Sequence, residues 1–79
     1  NYLYNLTIIN PDYVKYDEKN RFDVYYPNKL CRIKLVVNDQ IYDMEKSIYG
    51  YYTKTIKINK GDKIKFLVIC SNKNYTFDY

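Results

Sequence analysis

Apolar side chains recur at every second position through most of this chain, and that period decides what it can become. Tyr4, Leu6 and Ile8 alternate with Asn5 and Thr7. Phe22, Val24 and Tyr26 alternate with Asp23 and Tyr25, and Pro27 ends that run. The same rhythm returns in Cys31-Ile33-Leu35-Val37, Ile56-Ile58, Ile64-Phe66-Val68-Cys70 and Tyr75-Phe77-Tyr79. Side chains of an extended strand point alternately to its two faces, so a period of two calls for strands with one buried side.

Six candidate strands follow, with turn residues between them. Asn10-Pro11-Asp12 ends the first, Ser71-Asn72-Lys73 joins the last two, and Asn59-Lys60-Gly61-Asp62 reads as a hairpin with Gly61 at positive φ. Residues 39–50 support two readings. Ile41, Met44 and Ile48 fall at helical spacing between a capping Asp39 and a terminating Gly50. A hairpin through Asn38-Asp39 suits the surrounding strands better. Seventy-nine residues hold one core. The expected fold is therefore all-β: a small Ig-like β-sandwich of about six to seven strands, a single domain over residues 1–79. The chain begins at Asn1 without Met, which reads as a module excised from a longer extracellular protein.

Both cysteines, Cys31 and Cys70, sit on the apolar parity of their runs. They read either as a disulfide stapling two facing sheets or as two buried thiols. A small domain with one Cys pair fits an oxidising setting. Asn5-Leu6-Thr7 and Asn74-Tyr75-Thr76 are N-glycosylation sequons, with both Asn on the polar parity. The expected localisation is secreted or cell-surface.

Several chemistries lack their residues. There is no His, hence no imidazole base or ligand, and two Cys fall short of a zinc site. No phosphate-cradling Gly motif is present. Loop carboxylates Asp12, Asp17 and Glu18 read as solvated. No enzyme activity, cofactor or metal is expected, and no apolar run is long enough for a membrane helix. The net charge of +4 is carried by eleven Lys against two Arg. Lys54, Lys57, Lys60, Lys63 and Lys65 read as the wet face of strands, and scarcity of Arg speaks against nucleic acid.

Twelve Tyr remain to be placed. A compositional bias toward Asn, Lys, Ile and Tyr accounts for the number as well as a binding role does. Parity sends Tyr4, Tyr26, Tyr75 and Tyr79 toward the core. Tyr2 precedes the first run, and Tyr13, Tyr16, Tyr25, Tyr42, Tyr49, Tyr51 and Tyr52 are left over. In Tyr49-Gly50-Tyr51-Tyr52 the rings cannot all point inward, so aromatic surface should reach water there. The candidate ligand-binding residues are Tyr49, Tyr51, Tyr52, Tyr42 and Tyr25.

From Leu30 to Tyr79 the chain resembles the short starch-binding carbohydrate-binding modules of families 25 and 26. The likeness lies in Cys31-Arg32-Ile33-Lys34-Leu35-Val36-Val37, Gly50-Tyr51-Tyr52-Thr53-Lys54-Thr55-Ile56, Lys60-Gly61-Asp62-Lys63-Ile64-Lys65-Phe66 and the closing aromatic segment. In that family an aromatic after the Gly stacks on glucan, a role that the resemblance gives to Tyr51 and Tyr52. The family's usual platform Trp is absent. The composition is also similar to that of a repeat from the cellulosome scaffold proteins of anaerobic fungi, which bind the docking domains of enzymes. The expected function is a monomeric, non-catalytic module that binds polysaccharide. The alternative is protein–protein interaction in a secreted scaffold, cohesin-like, or in an adhesin.

Overall fold

A computed structural model describes residues 4–79. Eight strands form: β1 (Thr7–Asn10), β2 (Glu18–Tyr25), β3 (Arg32–Val37), β4 (Gln40–Asp43), β5 (Glu45–Lys46), β6 (Tyr52–Ile58), β7 (Ile64–Ile69) and β8 (Asn74–Asp78). They make two antiparallel four-stranded sheets, one ordered β1-β2-β6-β5 and the other β4-β3-β7-β8. This is the strand order of an immunoglobulin-like sandwich with a C′ strand beside the C strand.

The buried parity is the one the alternation marks. Phe22, Val24 and Tyr26 from β2 and its end meet Ile33, Leu35, Phe66 and Val68 from the facing sheet. Phe22 packs edge-on to Phe66, with ring centres 5.9 Å apart. Each such side chain contributes roughly 1.5–3 kcal/mol when fully buried.

Residues 39–50 form no helix. Asn38 and Asp39 both hold positive φ, 51° and 67°, as a two-residue hairpin turn between β3 and β4 requires. The chain then leaves one sheet and joins the other through Met44, which is buried between β4 and β5.

Three expectations change. Asn59-Lys60-Gly61-Asp62 does place Gly61 at φ 90°, but it links β6 to β7, which lie in different sheets. It is a crossover and not a hairpin, because β6 pairs with β2 and β7 with β3. The corner is tied by Asn38, whose Nδ2 donates to Asp62 Oδ1 at 2.7 Å. Second, the Cys31–Cys70 disulfide forms, but within one sheet. Arg32 pairs with Ile69, so the next pair outward is the two cysteines, side by side just beyond the ends of β3 and β7. It therefore does not staple the two sheets together. Third, Lys54 lies opposite Phe22 on the inner parity of β6 and is half-buried, so it is not part of the wet face.

Tyr26 is buried and Tyr75 half-buried. Tyr4 and Tyr79 touch the core edge-on through Tyr26 and Phe22, yet 47% and 40% of their surfaces stay exposed. They stand outside the ends of their strands, where the facing sheet no longer covers them.

Candidate binding surface

Two loops meet at one pole of the sandwich: residues 26–31 between β2 and β3, and residues 47–51 between β5 and β6. The second is a tight turn. Gly50 N donates to Ser47 O at 3.1 Å and Ser47 N donates to Tyr51 O at 2.8 Å. Gly50 holds φ 94°, and a Cβ there would meet nothing within 4 Å. Its role is thus conformational, since L side chains rarely adopt that backbone. The two loops enclose a cleft of about 360 Å³ with Tyr26, Cys31 and Tyr52 lining it and Tyr25, Ile48 and Tyr49 among its other walls.

The turn determines where the rings go. Tyr49, at its tip, is 78% exposed. Tyr49 and Tyr51 have ring planes within 9° of parallel, with centroids 6.4 Å apart. The two rings thus stand as a parallel pair at the corner. Tyr25 is exposed on the outward parity of β2, opposite Thr7 of β1. Tyr52 turns the other way. It lies on the inner parity of β6, packs against the core, and donates a long hydrogen bond of 3.5 Å to Cys31 O. Tyr42 lies on the other sheet, paired with inward Leu35, and its hydroxyl donates to Gln40 Oε1. Tyr25, Tyr49 and Tyr52 thus line one cleft, Tyr51 joins through Tyr49, and Tyr42 is elsewhere.

Beside the rings lies a polar group that parity alone does not reveal. Asp23 faces outward on β2 but is only 3% exposed. A β-bulge at Ile9 shifts the register of β1, so that Asn10 stands opposite Asp23. Asn10 Nδ2 donates to Asp23 Oδ2 at 2.8 Å, and Arg21 Nε donates to Oδ1 at 3.1 Å. Thr53 is its partner across β6. Burial alone would push the Asp23 carboxyl up. Thr53, Asn10 and Arg21, acting as polar partners, together with the Arg21 charge, outweigh it and hold the carboxyl below its usual value. Hydrogen bonding to Asp23 first, then its charge, pushes Arg21 up, and neighbouring Tyr51 adds to this. Arg21 is thereby fixed at one nitrogen while most of its side chain stays exposed.

A second aromatic concavity, of about 650 Å³, opens where Tyr13 and Tyr16, left over from the sequence, meet Tyr79 over Ile8, Pro11 and Val14. The loop carrying Tyr13 and Tyr16 is braced by buried Asn20, which accepts from Lys15 N and donates to Lys15 O, both at 2.8 Å. Strand parity gives no direction for rings on a loop, so the sequence left these two unplaced.

The outward faces of the two sheets differ. Val36, Leu67 and Ile69 are half-buried on the outer face of the β4-β3-β7-β8 sheet, alongside exposed Ile41. No Tyr lies among the strand residues of that face: Tyr42 and Tyr75 pair with the inward Leu35 and Val68. Asn74 is exposed on it, and Asn5 is exposed just before β1. Among the described residues no helix is long and apolar enough to cross a membrane. No protein-family model matches the chain, nor does any curated protein or solved structure.

Proposed function

We propose that this is a non-catalytic extracellular module that binds polysaccharide through Tyr49 and Tyr51, with Tyr25 at the flank. The observation that carries the reading is the nearly parallel, solvent-reaching pair of rings beside a fixed polar group. A sugar's C–H face packs on such a ring, while amides, hydroxyls and a guanidinium meet its hydroxyls. Rigid rings lose little entropy on binding, and the tight turn and the Asp23 hydrogen bonds hold their surroundings in place. The extracellular setting is supported by the disulfide and by exposure of both sequon Asn. The spacing likeness to starch-binding modules makes an α-glucan the first neutral polymer to try.

One feature favours a protein partner as second reading. Ile48, on the cleft wall, is 92% exposed, and Leu30, between cleft residues Lys29 and Cys31, is 77% exposed. Aliphatic side chains at loop tips serve an interface core better than a sugar. That reading fits a scaffold or adhesin module.

The test is depletion of the purified chain from solution by insoluble starch, cellulose and pectate, beside Tyr49→Ala/Tyr51→Ala. Binding to at least one polymer, weakened about tenfold or more in the variant, is expected. Depletion by none of the polymers, or full binding by the variant, contradicts the glycan reading. Binding of a secreted enzyme that is lost in Ile48→Asp selects the protein reading.

A further inference from the structure

The outward parity of the two central strands β2 and β6 continues from the rings into a track. Tyr51 stands just before the start of β6, followed on the same parity by Thr53, Thr55 and Lys57. Opposite Thr55 is Arg21, and opposite Lys57 is Lys19. From Tyr51 to Lys57 the track runs roughly 20 Å at the usual strand rise. Its middle carries small hydroxyl side chains, so it is shallow and rich in hydrogen-bonding groups.

The far end is cationic in a way that costs stability. Lys19 and Lys57 are paired directly across two neighbouring strands, and both are exposed. Like charges at that position repel. Neither makes an ion pair among the described residues, where the salt bridges are Arg21–Asp23 and Lys34–Asp43. Arg21, one outward position along, uses Nε on Asp23 and keeps its remaining nitrogens for other partners. Asp23 offsets much of the Arg21 charge, so the net positive charge of this end rests on Lys19 and Lys57, and Arg21 contributes its free N–H donors.

We propose that the polymer recognised here is anionic: an acidic glycan bearing carboxylates, which packs a ring on Tyr49 and Tyr51 and sets its acidic groups against Arg21, Lys19 and Lys57. This rests on the glycan-binding reading above. It explains why two lysines are held side by side at the end of the track away from exposed Glu45, which stands beside Thr53.

The test is affinity electrophoresis of the intact chain and of Lys19→Gln/Lys57→Gln in gels containing polygalacturonate, soluble starch or poly(dT). Removing the lysine pair relieves a repulsion, so the variant should melt no lower than the parent chain, which verifies that it is folded. The parent should bind polygalacturonate more tightly than the other two polymers, and less tightly as salt rises. The variant should lose about tenfold in affinity for it. Retardation by starch as strong as by polygalacturonate, or an unchanged variant, overturns the anionic assignment and leaves the Tyr platform standing. Tighter binding to poly(dT) overturns it in favour of nucleic acid. Retardation by none of the three overturns the anionic assignment, and the glycan reading then stands or falls on the cellulose depletion described above.

Discussion

Arg21 Nε lies 3.1 Å from Asp23 Oδ1, two residues apart on the outward parity of β2, and together with Asn10 it encloses a carboxylate on a sheet face that is otherwise open to water. This contact couples fold to surface. The bulge in β1 delivers Asn10 to the same carboxylate, and the contact orients a cation beside Tyr51. A buried carboxylate is tolerated because its polar partners replace the water it lost.

Replacing Asp23 with Asn should destabilise the domain by about 1–3 kcal/mol, because an amide nitrogen would face donors that now have no acceptor. The pH dependence has a defined sign. The folded-state value lies below the unfolded one, so the carboxylate's contribution is complete above the unfolded pKa of about 3.9 and is lost as pH falls through the folded value. Urea unfolding at pH 6 and at pH 3 should therefore show a larger acid-induced loss in the parent chain than in Asp23→Asn. Equal losses in the two proteins would contradict the assigned role.

The disulfide closes a loop between residues 39 apart in sequence. In the chain-entropy argument, removing a cross-link of about 40 residues costs roughly 4 kcal/mol. Cys31→Ala/Cys70→Ala should lower the unfolding free energy by several kcal/mol, measured by denaturant titration. A change under about 1 kcal/mol would mean that β3 and β7 need no covalent aid.

Gly50 makes a finer test of the turn. Its added Cβ would have open space, so Gly50→Ala should cost about 1–2 kcal/mol through φ alone, and Gly50→Asn less. Thermal midpoints of the two variants should fall in that order. If Ala and Gly melt together, the turn is not what fixes Tyr49 and Tyr51.

How much of this was legible in the sequence depends on the kind of residue. Alternation gave Phe22, Val24, Ile33, Leu35, Phe66 and Val68 their inward faces, because the period of two is set by backbone geometry. It could not give sheet membership. Asn59 to Asp62 has the turn chemistry of a hairpin, yet β6 and β7 go to different sheets, since pairing is decided by partners far away in sequence. The same long-range choice puts Cys31 beside Cys70 in one sheet. The Asn38-Asp39 turn pointed to β4 although residues 39–50 also suit a helix, whereas two-residue β5 is too short to show any alternation. At the surface, Tyr49 and Tyr51 were legible as rings too close in sequence to be buried together. Asp23 was not, because its burial depends on a one-residue bulge in another strand. Tyr13 and Tyr16 lay on a loop, where no period applies.

In the proposed mode of binding, the outward face of β2 and β6, with the Tyr49–Tyr51 corner, is where this domain meets its ligand. Amide chemical-shift mapping on the ¹⁵N-labelled chain, titrated with oligogalacturonate, tests it directly. Saturable shifts confined to residues 19–25 and 49–57 are expected. Shifts centred instead on Tyr13, Tyr16 and Tyr79, or on Val36, Leu67 and Ile69, would contradict it.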